Sequence, residues 1–195
     1  MSLVKVSGNA SGTGTLTIAA PNTNSDYTLT LPTNTGTLIS TASTFAGTGP
    51  AFSAYPSTNQ TVTSAVVTQI QLDTETFDTA SCYNNTGSTV GGIPAYSFLP
   101  NVAGYYQVNL LVGGIAGTAI SYAGGNIYKN GSVYARVLVP GYSSVNGDSS
   151  NSTIIYMNGT TDYLSFYAQV SGTGTIQVAG NQTRTIASAA LIRGA

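Results

Sequence analysis

The sequence predicts an all-β protein of two packed antiparallel sheets, and three observations carry that expectation. Apolar and polar residues alternate with period 2 along most of the chain. No stretch free of Gly and β-branched residues shows the 3.6-residue repeat of an amphipathic helix. Turn chemistry punctuates the alternation: there are 23 glycines, and the pairs Asn130-Gly131, Asn146-Gly147 and Asn158-Gly159 favour hairpins or tight turns. Many short strands with regular turns point to a two-sheet sandwich.

The elements follow in order. Pro50-Ala-Phe-Ser-Ala-Tyr55 reads as a short first strand. Residues 61–73 alternate, with Val66, Thr68, Ile70 and Leu72 on one face and Val67, Gln69 and Gln71 on the other. From Tyr105 a long strand separates Tyr106, Val108, Leu110 and Val112 from Tyr105, Gln107, Asn109 and Leu111. Residues 119–128 and 132–139 form a hairpin about Lys129-Asn-Gly-Ser132, with Val133, Ala135, Val137 and Val139 inward and Tyr134, Arg136 and Leu138 opposite. A Ser/Asn/Gly loop at 143–151 leads to the strand Ser152–Met157. Leu164, Phe166, Ala168 and Val170 then alternate with Tyr163, Ser165, Tyr167 and Gln169. The last strand, Thr185–Arg193, is apolar on both faces, which suits a central position in a covered sheet.

Several short pieces add a family resemblance. Pro50-Ala-Phe52, Phe77-Asp78, Tyr83-Asn84, Ala95-Tyr-Ser-Phe-Leu-Pro100, Asn101-Val-Ala-Gly104-Tyr-Tyr106, Tyr128-Lys-Asn-Gly131 and the closing Ala190-Leu-Ile-Arg-Gly194 occur in order over residues 50–195. That order resembles the trimeric jelly roll shared by tumour necrosis factor and the globular head of the complement recognition protein. Asn158-Gly-Thr-Thr-Asp162-Tyr-Leu resembles a turn of the same family, although Thr160-Thr161 separates the Gly from the Asp. The resemblance implies an antiparallel two-sheet jelly-roll sandwich that forms a homotrimer. In such a fold Tyr106, Val108, Leu110 and Val112 fill the space between the sheets. Tyr105, Gln107, Asn109, Tyr163, Ser165 and Tyr167 become the expected trimer-interface residues, tyrosine being favoured at interfaces for its large area and polar tip.

The first 41 residues differ from the rest. Gly14-Thr-Leu-Thr-Ile18, Tyr27-Thr-Leu-Thr-Leu31 and Gly36-Thr-Leu-Ile-Ser40 repeat a short Thr/Leu/Ile alternation bounded by Gly, Pro or Asn. Such short strands bury little alone and need a neighbour. They resemble the N-terminal pieces of many tailed-bacteriophage virion proteins. The expected organisation is a β-rich virion-anchoring segment at 1–41, a linker at 42–49 and the jelly roll at 50–195.

Composition narrows the function classes. Of 195 residues only 6% are charged, against about 25% in ordinary soluble domains. The surface is therefore built from Ser, Thr, Asn, Gln, Gly and Tyr, side chains that pack against copies without stranding ions. Net charge is −1, and Lys5, Lys129, Arg136, Arg184 and Arg193 are scattered, so nucleic acid is not an expected partner. No apolar run approaches the roughly 18 residues of a membrane span, and the N-terminal residues lack a signal core, which places assembly in a host cytoplasm. Cys82 is the one cysteine and no histidine exists to activate it. Without histidine, a Gly-x-Ser-x-Gly elbow or a glycine-rich turn before a helix, no enzyme and no cofactor is expected.

Asp73, Glu75 and Asp78 are half the acids of the chain within six residues. They are read as a solvated acidic edge, with a calcium site as the alternative. No metal site is therefore committed. Asn9, Asn84, Asn151, Asn158 and Asn181 begin Asn-x-Ser/Thr triplets, read as unused. The expected function is that of a structural protein on the surface of a bacteriophage particle, a trimeric head decoration protein or short fibre. It would partner itself, and other virion proteins through residues 1–41. The alternative is a glycan- or receptor-binding tip module of a tail fibre or needle. There the loops at 84–93 and 142–152 would meet host-surface glycan, with Tyr122, Tyr128, Tyr134 or Tyr142 stacking on sugar.

Overall fold

The computed structural model describes residues 11–13, 24–26, 49–141 and 144–195. The chain divides into two units, Met1–Leu38 and Ile39–Ala195, and the strands described here all lie in the second. The expected leader strands, the linker up to residue 48 and Tyr142 lie outside the described residues.

The described part is all β, in two antiparallel sheets. The strands are β1 (Ala51–Tyr55), β2 (Gln60–Thr61), β3 (Thr68–Gln69), β4 (Thr74–Asp78), β5 (Tyr83–Asn84), β6 (Ser97–Phe98), β7 (Gly104–Ala116), β8 (Ala119–Lys129), β9 (Ser132–Pro140), β10 (Asn146–Met157), β11 (Leu164–Thr173), β12 (Ile176–Val178) and β13 (Ile186–Gly194). One sheet runs β10-β7-β13-β1-β4, with β12 and β2 continuing beside the end of β7. The other runs β5-β6-β11-β8-β9, with β3 also on β11. Strand β13 lies between β7 and β1, the central position its two apolar faces predict.

Period-2 alternation sets the core. Tyr106, Val108, Leu110 and Val112 of β7 meet Leu164, Phe166, Ala168 and Val170 of β11, and all eight are buried. Phe52 of β1 sits at the centre, stacked on Tyr83 at 4.6 Å and on Phe98 at 4.7 Å between ring centroids. Phe98 in turn meets the edge of Tyr106 at 5.7 Å. The two buried phenols keep their hydroxyls satisfied: Tyr106 donates to the Val102 carbonyl and Tyr83 to that of Leu72.

Three expectations are corrected. The alternating run at 61–73 is not one strand: only β2 and β3 form, and Val66 and Val67 are exposed. Ala65 adopts φ 65° and the Val66 amide donates to the Thr63 carbonyl, so the chain turns there; Ile70 and Leu72 are buried in the core and Val62 packs against its margin. The loop expected at 143–151 is strand from Asn146 onward, because β7 offers a free edge as far as Ile115 and pairs Asn146 with it. Asn146-Gly147 is thus the first step of β10, not a turn. Val133 is exposed rather than inward, since a bulge at Ile127/Tyr128 shifts the register of β9; Ala135, Val137 and Val139 remain half-buried on that edge strand.

The other two Asn-Gly pairs are turns. Asn130 and Gly131 take φ 53° and 76°, the left-handed pair a two-residue hairpin requires. At Gly159, φ is 74°, and the Asn158 side-chain oxygen accepts from the amides of Thr160, Thr161 and Asp162. Asp162 ties the two turns together by accepting from Asn130 Nδ2 at 2.7 Å and pairing with Lys129 Nζ at 2.8 Å. Burial raises the Asp162 carboxyl, but the hydrogen bonds from Lys129, Asn130 and the Asn158 amide, with the Lys129 charge, outweigh it and leave it below the ordinary aspartate value.

Two predictions follow from this packing. Phe52→Ala removes the ring around which Tyr83, Phe98 and Phe166 pack and is expected to lower unfolding free energy by about 3–5 kcal/mol in urea titration. Acid stability should follow Asp162: its folded-state value is depressed, so its contribution is present above the ordinary value of 3.8 and is lost as pH falls through the folded one. Melting temperature should therefore drop on acidification below that range, and Asp162→Asn should flatten part of the drop.

Candidate functional site

The sandwich has two outer faces pointing in opposite directions. The outer face of β10-β7-β13-β1 is built by the side chains that alternate with the core. Register places them in rows: Ile154, Gln107, Ala190 and Ala51; then Ser152, Asn109, Ser188 and Ser53; then Ser150, Leu111 and Ile186. Tyr156 lies opposite Tyr105 on the next row, their rings 5.5 Å apart, with Ile192 at the β13 bulge. Four large apolar side chains are exposed here: Tyr105 at 44%, Ile154 at 51%, Tyr156 at 43% and Ile192 at 53%.

A polar ladder crosses the middle of this face. Gln107 Nε2 donates to Ser152 Oγ at 2.8 Å, and Ser152 Oγ donates to Asn109 Oδ1 at 2.8 Å. Charge is confined to the two ends. Arg184 pairs with Asp148 at 2.6 Å and also donates to Asn146 Oδ1, while Arg193 stands opposite Tyr105. The middle rows are neutral, so covering them strands no unpaired ion.

The six interface residues expected from the sequence do not share one surface. Tyr105, Gln107 and Asn109 lie on the face just described. Tyr163 precedes β11, and Ser165 and Tyr167 belong to it, in the other sheet; Leu164 and Phe166 fill the core, so Ser165 and Tyr167 point out of the opposite side. Ser165 is also buried at 2% exposure. Alternation was read correctly along each strand, but which sheet each strand joins was not available from it. Ile154, Tyr156 and Ile192 went unselected; the doubled apolar pair Ile154-Ile155 and the two apolar faces of the last strand were the signals present in the sequence.

Asp73 and Asp78 are engaged in local structure. Asp73 accepts from the amide and hydroxyl of Ser57, both at 2.7 Å, and from Thr74. Asp78 accepts from the amides of Ala80 and Tyr83. Burial raises the Asp73 carboxyl, yet the Ser57 hydrogen bonds outweigh it and hold it below its ordinary value; burial and the nearby Asp78 charge raise Glu75. Among the described residues no three His, Cys, Asp or Glu side chains come together as metal ligands. Cys82 is buried, and that burial pushes its thiol up, away from the reactive thiolate. Of the expected glycan loops, 84–93 is held by Asn84, whose Nδ2 donates to the carbonyls of Ser88, Ile93 and Pro94, and 146–152 is strand.

No family model matches the chain, and no curated protein matches it significantly. Solved structures do. Murine APRIL, crystallised at pH 5.0, superposes with a TM-score of 0.56 at 9% identity over 74% of this chain and 99% of that one. The globular domain of the zebrafish complement 1qA protein gives 0.53 at 10% identity over 75% and 99%. The PRD1 vertex protein P5 gives 0.51 at 16% identity over 75% and 99%. At these identities the likeness concerns the fold. With its two antiparallel sheets and the order β10-β7-β13-β1 facing β11-β8-β9, the chain folds as a jelly roll of the tumour-necrosis-factor and complement-head kind.

Proposed function

We propose that this chain is a non-enzymatic structural protein of a bacteriophage particle, a head decoration protein or short fibre. It assembles as a homotrimer through the outer face of β10-β7-β13-β1. The observation that carries the assembly is that face: exposed Tyr105, Ile154, Tyr156 and Ile192 beside a neutral Gln107–Ser152–Asn109 ladder. Four exposed large apolar side chains on one side of a chain so poor in charge mark a surface that is covered in use. The ladder suits a copy of itself, since Gln, Asn and Ser each donate and accept. Small side chains at Ala51, Ser53, Ser188 and Ala190 leave the β13–β1 side of the face low, so a neighbour's bulky β10 ridge can seat there.

The virion reading is supported by the fold shared with the PRD1 vertex protein P5 and by the low charge of the chain. Its layout is an anchor at 1–41 that docks on other virion proteins, a linker at 42–49 and the jelly roll at 50–195. The exposed end of the particle-bound jelly roll then lies at the virion surface.

Light scattering of the full chain at micromolar concentration should give three times the chain mass. Ile154→Arg should give the monomer mass with a cooperative melting transition retained at a lower temperature, because an unpaired buried guanidinium costs about 3 kcal/mol or more at each contact and the assembly no longer stabilises the fold. A monomeric wild type overturns the assembly. Mass spectrometry of purified particles should find the chain in copies divisible by three, and its absence from particles overturns the virion role.

A further inference from the structure

The outer face of β11-β8-β9 points away from the assembly face and carries a different chemistry. Strand β8 turns Tyr122, Gly124, Asn126 and Tyr128 outward, because Ala123 and Ile127 are buried and a side chain on Gly125 would meet Leu110 and Val112 of the other sheet. Beside Asn126 in register stand Tyr167 of β11 and Arg136 of β9. The Tyr128 and Tyr167 rings lie 4.1 Å apart, inclined by 34°. Arg136 reaches across β8 and donates to Gln169 Oε1 at 2.7 Å, a path left open because position 124 is glycine between Gln169 and Leu138.

Two features of this face are unspent. Asn126 is 1% exposed, and its Nδ2 has no hydrogen-bond partner. A buried donor without a partner is costly and calls for a reason. Arg136 is exposed and makes no ion pair among the described residues, where the two pairs found are Lys129–Asp162 and Arg184–Asp148. Strands β8, β9 and β11 contain no acidic residue. The face therefore carries one guanidinium without an ion pair, a pair of aromatic rings and, buried beneath them, an amide donor without a partner.

We propose that this face binds an acidic saccharide. The pyranose ring lies against Tyr128 and Tyr167, whose rings supply an apolar surface with polar tips. Its carboxylate pairs with Arg136, whose planar fork matches that geometry. A hydroxyl or acetamido oxygen entering between Tyr167 and Arg136 accepts from Asn126 Nδ2. A lone cation with no basic neighbours does not favour a polyanion such as nucleic acid. The site is on the sheet rather than on the loops at 84–93 and 142–152, and it does not depend on the oligomeric state.

The test is a glycan array of matched acidic and neutral saccharides probed with the full chain, followed by titration with sialyllactose and lactose. Hits should be confined to acidic glycans, with lactose bound about tenfold more weakly or not at all. Arg136→Gln should remove that preference and Arg136→Lys should keep part of it. Tyr167→Ala should weaken binding where Tyr167→Phe retains it, with melting curves showing each variant folded. No saturable hit, neutral glycans bound as well as acidic ones, or unchanged binding by Arg136→Gln overturns the site.

Discussion

Strand β7 is the constraint on which the rest of the molecule depends. It pairs along one edge with β10 over its whole usable length, and along the other with β13 and then β12. A strand paired on both edges has no freedom to slip without turning every side chain over. Its alternation therefore fixes what is core and what is outer face at once. Tyr106, Val108, Leu110 and Val112 commit the sheet to pack on β11, and Tyr105, Gln107 and Asn109 become its outer face. The same pairing converts the polar run 146–151 into strand, since the edge of β7 would otherwise carry unpaired amides and carbonyls.

The low charge of the chain shapes both faces. With ions scarce, polar contacts are made by neutral groups that satisfy one another, as Gln107, Ser152 and Asn109 do on one side, while on the other Gln169 donates to the Tyr122 hydroxyl and the Ala65 carbonyl. Neutral hydrogen-bonding surfaces are less costly to cover than charged ones. The ion pairs among the described residues sit where chain segments are tied together: Lys129–Asp162 joins the two turns at one end of the sandwich, and Arg184–Asp148 joins the segment before β13 to the start of β10. Arg136 and Arg193, both exposed, have no ion pair among the described residues, and Arg136 alone of the two lies in the middle of a sheet face.

The two outer faces of the sandwich differ in chemistry. One face carries an apolar ridge on β10 beside a lower β13–β1 side and is neutral in its middle rows. The other is lined by tyrosine, amide and a single guanidinium, and it points the opposite way.

The sequence by itself determined the class of the fold, the strands β1, β7, β8, β11 and β13, the hairpin turn at Asn130-Gly131 and the inward set of β7 and β11. Those features are local: period-2 alternation and left-handed turn residues act within a few positions, and no distant partner is needed to read them. Only the tertiary structure decided the rest. Whether 146–151 is loop or strand depended on a free edge at β7, and whether Val66 is buried depended on a turn at Ala65. That Tyr105 and Tyr167 leave the sandwich from opposite sides depended on which sheet each strand joins. Alternation tells a residue which side of its own strand it occupies, but pairing across the whole chain decides what lies on that side.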